Sequence, residues 1–309
     1  MHLTNLSGQQ EGLLRSWLPR GLVAEQVVFF PDACPGKAPV PTGTAILTHQ
    51  PDWRRFAVSD CGCGMRLLRS RSLSPADLDR DAWDQLADRL RRNAGGLGDL
   101  GGGNHFLDAL APYDGDSLHL LIHTGSRLES GLVDAHIDDP PTFDREFCRV
   151  VTWAEENRAA IQAAAEAALG PLDLVLDLPH NTFEALDNGG AIIRKGAVHV
   201  QPGAMNIIPS HMAGDVALVR ATDRVTGVLN ALSHGTGRTV SRSEGKTLAD
   251  GYDFAALRRS IMIPESIADA SLRGEGPYAY RDLDACLDLL DGYVEQVNRF
   301  SVIGYMGHL

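Results

Sequence analysis

The 309-residue sequence predicts an α+β fold that mixes strands, long helices and glycine-rich loops. Three observations lead there. Helical stretches are few and long. Short apolar runs of strand length lie between them at irregular spacing, and glycine-rich loops follow several of these runs. Helices that do not alternate regularly with strands argue against a doubly wound sheet. No internal repeat, low-complexity tract or Ser/Pro linker divides the chain, so a single domain over residues 1–309 is expected.

The first helix is expected over 74–93. Ser74 is its N-cap, Pro75 its first helical residue and Asp77 a first-turn acid. Leu78, Trp83, Leu86 and Leu90 share one face. The glycine loop 95–106 follows, then a strand at 119–123 that opens into the loop 123–127. A second helix fits Phe143 to Leu169, which is rich in Ala, Glu and Arg. Strand-like runs occupy 172–178, 206–209 and 215–219, and the loop 233–238 comes after them. A third helix is expected from about Arg281 to Arg299, with Leu283, Cys286, Leu287, Leu290 and Val294 as its apolar stripe.

Composition narrows the function classes. Hydrophobic residues make up 44% of the chain, yet no apolar run reaches membrane-span length. The first residues lack a signal-peptide layout, and a cytoplasmic location with no membrane partner is expected. The net charge of −12 excludes binding along a duplex by many phosphate contacts. Any nucleic-acid role is confined to an end or a short segment. Five cysteines, an odd number in a large chain, argue against a disulfide framework. Cys148 and Cys286 read as small core residues.

Several residues carry chemistry. His234 sits in Ser-His-Gly-Thr-Gly-Arg, an uncrowded and cationic loop unlike the surroundings of a core histidine. His105, His123 and His180 each lie at a strand end or a glycine loop, where functional groups concentrate. Asp60 and Cys63, in Asp-Cys-Gly-Cys-Gly-Met, add a hard and a soft ligand three residues apart. A four-ligand site leaves one of the five over, whereas two metals sharing the thiolate use all five. Ligand softness by itself favours zinc. Arg127, Arg194, Lys195, Arg238 and Arg242 lie in or beside the glycine loops, placed to grip phosphate. The competing reading of each is ordinary solvated surface charge.

The motifs DCGCGM, GGGNHFLD, HTGSR, HN, RKGA, SHGTGR and AYRD, in that order, resemble the RtcB family of RNA-splicing ligases. The resemblance runs from about Phe30 to Gly307. It implies one RtcB-like catalytic domain that joins 2′,3′-cyclic phosphate or 3′-phosphate RNA ends to 5′-hydroxyl ends through a histidine-GMP intermediate. It implies GTP as cosubstrate and one or two Mn2+ ions, with Zn2+ or Co2+ as substitutes. Metal binding would fall to Asp60, Cys63, His105, His123 and His180, with Cys63 bridging, and guanylylation to His234. Nucleotide contacts would come from Asn104, Asp108, Asn181, Pro209, Ser210, Met212, Gly235, Thr236, Gly237 and Tyr280. Arg127, Arg194, Lys195, Arg238 and Arg242 would hold phosphate or RNA. RNA ends and GTP are the implied partners, with room for an accessory protein.

Four positions depart from the family pattern. Met306 stands where the family has a nucleotide-contacting lysine, and Asp108 where it has a glutamate. Cys34 replaces an upstream histidine, and Pro209–Ser210–His211–Met212 replaces Pro-Gly-Ser-Met. If Met306 is a vacated contact, Met306→Lys should tighten GTP binding. Alternatively Met306 only packs, and His211 stands in for the lysine. Two other functional readings remain: a metal-dependent RNA-end phosphodiesterase, and a catalytically weak paralogue that binds RNA ends.

Overall fold

The computed structural model describes residues 1–35, 39–57, 60–307 and 309; the side chains of Arg127 and Leu128 lie outside that description. Its strands are β1 (His2–Asn5), β2 (Gln26–Cys34), β3 (Thr42–Thr48), β4 (Gly64–Ser70), β5 (Phe106–Pro112), β6 (His119–Thr124), β7 (Leu172–Pro179), β8 (Asn181–Ala185), β9 (Ala191–Lys195), β10 (Ala197–His199), β11 (Met205–Pro209), β12 (Asp215–Ala221), β13 (Ala231–Ser233) and β14 (Val294–Gly307). The α-helices are α1 (Glu11–Trp17), α2 (Arg80–Arg92), α3 (Arg127–Asp134), α4 (Pro140–Leu169), α5 (Arg242–Leu248), α6 (Phe254–Ser260), α7 (Asp269–Leu272) and α8 (Leu283–Leu289).

The strands form a seven-stranded sheet in the order β11-β12-β14-β5-β6-β4-β7, a five-stranded sheet β1-β2-β3-β9-β8, and the pair β10-β13. All pairings in the seven-stranded sheet are antiparallel. The largest core packs one face of that sheet against α2 and α4, with Trp83, Leu86, Leu90 and Ile161 meeting Leu68, Leu107, Ile122 and Met306. The fold is α+β, as the irregular spacing predicts.

Two of the expected helices form with shifted ends. Residues 75–77 make a separate 3-10 turn closed by a Ser74–Asp77 capping box, and α2 starts after Asp79, whose carboxylate accepts from the Ala82 N–H. Helix α4 begins three residues earlier than expected, at Pro140. The third expected helix is half wrong. Helix α8 stops at Leu289, Gly292 turns the chain at φ +75, and the remainder is the long strand β14. Glycine takes that left-handed conformation without steric cost, and the valines and aromatics beyond it suit a pleated surface. Cys286 is buried as expected, but Cys148 is exposed on the outer side of α4. Among the described residues no helix is long and apolar enough to cross a membrane.

Candidate active site

Sheet register brings the predicted metal ligands to one edge. In antiparallel pairing, the starts of β4 and β5 lie beside the ends of β6 and β7. Gly64 pairs with both Thr124 and Pro179, and Phe106 pairs with His123. Cys63, which precedes β4, His105, which precedes β5, His123 near the end of β6, and His180, which follows β7, therefore converge. The His180 N–H donates to the Cys63 carbonyl at 2.8 Å and ties the two chain ends together.

Two overlapping groups result: Cys63, His123 and His180, and Asp60, Cys63 and His105. Cys63 Sγ is 3.4 Å from His123 Nε2 and 3.6 Å from His105 Nε2. His123 Nε2 is 3.3 Å from His180 Nε2, and Asp60 Oδ2 is 3.4 Å from His105 Nε2. His123 donates from Nδ1 to the Asn104 carbonyl at 3.0 Å, which leaves the Nε2 lone pair facing the cluster. Burial, with neighbouring imidazoles adding to it, pushes the pKa values of His123 and His180 well below the usual histidine range. Burial and then Asp60 push the Cys63 thiol up, while Lys195 and Arg158 pull it down. Neutral imidazole lone pairs, a carboxylate and a thiol shared by both groups fit a pair of divalent cations. A thiol in such a setting ionises with a cation beside it.

Asp60 sits at φ +50, an uncommon conformation for a residue with a side chain. Three contacts hold it there. The Ser126 N–H donates to Asp60 Oδ1 at 3.1 Å, Asn181 Nδ2 donates to the Asp60 carbonyl at 2.9 Å, and the Gly62 N–H donates to the Asn181 carbonyl at 2.9 Å.

His234 follows β13, next to the cluster; its ring centre is 4.4 Å from that of His180. Its Nδ1 lies 2.5 Å from Asp32 Oδ2 and 2.7 Å from the Gly196 carbonyl. Both neighbours only accept, so Nδ1 carries the proton and Nε2 keeps a free lone pair. Asp32 is fully buried and also accepts from Ser233 Oγ at 2.7 Å. Gly237 makes this packing work: at φ +74, a Cβ there would lie 2.6 Å from the Asp32 Cα.

A cavity of about 740 Å3 joins these parts; His123 and Asn104 lie on its wall beside His234. Asp108, Pro209, Ser210 and Met212 line it, as do Gly235, Thr236 and Gly237. At one side a buried polar group gathers. Tyr280 donates to Glu275 and accepts from Arg238 at 3.2 Å, while Arg238 and Arg242 lie 3.6 and 3.7 Å from Glu275. The Arg238 guanidinium stands 4.9 Å from the centre of the Tyr280 ring.

Other predicted residues lie elsewhere. Asn181 holds the Asp60 loop and accepts from the Gly196 N–H at 2.8 Å. Lys195 reaches the candidate ligand cluster electrostatically, acting on Cys63 and His180. Arg194, next to it on β9, points the other way: it is 3% exposed and donates to Glu184 and to the Leu229 carbonyl. The Arg127 side chain lies outside the described residues. Met306 does not line the cavity. It is fully buried in the main core, while Tyr305, on the opposite face of β14, does line it. His211 is also on the cavity wall, its Nδ1 accepting from the Ala213 N–H at 3.3 Å.

Sequence reasoning missed three supporting residues. Asp32 orients His234. Arg281 donates to the carbonyls of Pro31 and Ala33, clamping the strand on both sides of Asp32. Arg158, fully buried on α4, pairs with Asp177 at 2.6 Å and donates to the Gly62 carbonyl at 3.0 Å beneath the Cys63 loop.

Comparison with known proteins agrees with this geometry. RNA-splicing ligase RtcB2 from an Escherichia coli strain is 29% identical, over 86% of this chain and 83% of its own length. RNA-splicing ligase RtcB of Mycobacterium bovis is 25% identical, over 81% and 73%. RNA-splicing ligase RtcB of Escherichia coli K12 is 26% identical over 65% of this chain, which spans 58% of that relative's length. The family model described as tRNA-splicing ligase RtcB matches residues 148–307, more than half of the sequence, including His180, His234 and Tyr280. A match of that extent, on a chain whose strand ends gather Cys63, His105, His123 and His180 into one cluster beside the cavity, places the protein: it belongs to the RtcB family.

Proposed function

We propose that the protein is an RNA ligase that joins 3′-phosphate or 2′,3′-cyclic phosphate ends to 5′-hydroxyl ends, using GTP and a divalent cation such as Mn2+. The observation that carries this reading is the free Nε2 of His234, held beside the ligand cluster by Asp32 and the Gly196 carbonyl. In the Nδ1–H tautomer the ring presents an unprotonated Nε2 for attack on phosphorus.

Nε2 of His234 attacks the α-phosphorus of GTP. A P–N bond forms, the bond to the β-phosphate oxygen breaks, and pyrophosphate leaves. Asp32 then faces the Nδ1–H of a ring that has gained positive character and stabilises it. Arg238 and Arg242 line the cavity and can meet phosphate oxygens. A 2′,3′-cyclic phosphate end is first opened by water, which breaks the bond from phosphorus to the 2′-oxygen and leaves a 3′-phosphate. The RNA 3′-phosphate oxygen then displaces His234 from phosphorus, and the 5′-hydroxyl attacks the activated phosphate, losing its proton to solvent and releasing GMP. Asp60, Cys63, His105, His123 and His180 would hold the cations. A divalent cation there supplies Lewis acidity toward phosphate oxygens and a fixed template. A phosphodiesterase without ligation would share the ligand cluster, but it would not require a histidine with its back nitrogen pinned and its front nitrogen open to a nucleotide-sized cavity.

The test is label transfer from α-labelled GTP in the presence of MnCl2. Wild type should acquire an acid-labile, base-stable label, and His234→Ala should acquire none while retaining its metal content. A label that survives this substitution refutes the assignment of the nucleophile.

A further inference from the structure

Asp108 differs from every other acid on the cavity wall. Asp32 binds His234 and Ser233, Glu275 binds Tyr280 and faces two arginines, and Glu244 accepts from the Ser241 N–H. Asp108 is 3% exposed, its Oδ1 has no hydrogen-bond partner, and among the described residues no Lys or Arg pairs with it. Its surroundings are aromatic and apolar. Tyr305 lies directly across the ladder on β14, Leu121 on the β6 side, and Phe106 two residues back with its ring stacked 6.5 Å from that of Tyr305. The titratable groups on this part of the wall are Tyr305 and, beyond it, Tyr280, Glu275 and Arg242; His211 lines the same cavity. A carboxylate without a cation or a donor is costly in such a place, and burial pushes the Asp108 pKa well above the usual carboxylate range.

A neutral carboxyl group differs from a carboxylate in what it can read. A carboxylate offers two acceptors. It matches the N1–H and N2–H donors of guanine, and it meets the bare N1 lone pair of adenine with another lone pair. A neutral carboxyl offers one donor beside one acceptor. It can donate to guanine O6 while accepting from N1–H, and equally donate to adenine N1 while accepting from N6–H. Strong discrimination between analogues requires that the wrong one leave a buried polar group unpaired. The neutral form pairs fully with either base.

We propose that the cavity accepts adenosine as well as guanosine triphosphate, because Asp108 reads the purine edge as a neutral carboxyl group that donates and accepts with both bases. This rests on the nucleotide reading given above and names its substrate class more broadly. Asp108→Leu keeps the bulk of the side chain but removes both the donor and the acceptor, so it should weaken GTP and ATP binding together.

The experiment measures binding of GTP and of ATP, each with MnCl2, to wild type and Asp108→Leu by calorimetry at neutral pH, and label transfer from each α-labelled nucleotide. The expected result is wild-type Kd values for GTP and ATP within about tenfold of each other, and Asp108→Leu weaker than wild type by about fivefold or more for both nucleotides, the loss of a hydrogen-bonded pair. ATP bound more than tenfold weaker than GTP by wild type overturns the proposal, as does an Asp108→Leu variant that loses affinity for GTP alone or for neither nucleotide. Binding of both nucleotides by wild type without label transfer upholds it and refutes the ligase chemistry instead. Binding of neither by wild type removes the nucleotide reading and this inference together. The wild-type comparison decides the matter even if Asp108→Leu does not fold.

Discussion

Replacing Asp32 by asparagine tests how the nucleophile is held. The carboxylate is fully buried, 2.5 Å from His234 Nδ1, and oriented by Ser233 Oγ at 2.7 Å. Asparagine keeps the shape and can still accept from Ser233, but it removes the charge opposite a ring that becomes cationic as the P–N bond forms. A hydrogen bond to a charged group is worth about 1.5–3 kcal/mol, which corresponds to a roughly 10- to 150-fold slower chemical step. The Gly196 carbonyl still accepts from Nδ1, so the tautomer survives and the loss should not reach that of His234→Ala. Single-turnover label transfer at saturating GTP measures the rate, and calorimetry measures the affinity, which should change by no more than about threefold, under 1 kcal/mol. A rate within twofold of wild type, or a variant that loses GTP affinity but keeps the rate, would refute the role assigned to Asp32.

Two further outcomes follow from the packing. Met306→Lys places an ammonium in the main core, away from the cavity, and should lower the unfolding free energy by about 3 kcal/mol or more instead of tightening GTP binding; urea unfolding within 1 kcal/mol of wild type would contradict this. The folded chain keeps the Asp108 proton at pH values where the unfolded chain has released it, so this group costs about 1.4 kcal/mol of stability per pH unit as pH rises from the ordinary carboxylate range toward the raised folded value. Asp108→Asn should therefore gain stability relative to wild type as pH rises through that window, and a difference independent of pH would show that Asp108 is not held neutral.

The site was more legible than the frame around it. The five candidate ligand residues could be picked out because thiol, carboxylate and imidazole side chains beside glycines are unusual company, and strand register then supplied the convergence that spacing could not. Asp32 escaped notice because it lies inside the apolar run Val27–Cys34 and its partner is 202 residues away, leaving no local pattern. Its signal was a lone acid in a buried strand. Arg158 escaped because one arginine on a helix rich in Glu and Arg looks like surface charge until the helix is packed. The third helix was overextended because Leu283, Cys286, Leu287, Leu290 and Val294 keep helical spacing across the Gly292 turn. Alternation along β14 explains Met306: residues 305 and 306 face opposite sides, so only one of them can meet the cavity. The same alternation separates Arg194 from Lys195.

The central claim is that the ligand cluster and His234 form one site that joins RNA ends, and the most direct measurement is the joining itself. An end-labelled RNA carrying a 2′,3′-cyclic phosphate is incubated with a 5′-hydroxyl RNA, GTP, MnCl2 and the protein, and the products are resolved by denaturing electrophoresis. Wild type should give a product of summed length that disappears in both His234→Ala and Cys63→Ser. Opening of the cyclic phosphate without any joined product, or joining that persists in His234→Ala, would contradict the account.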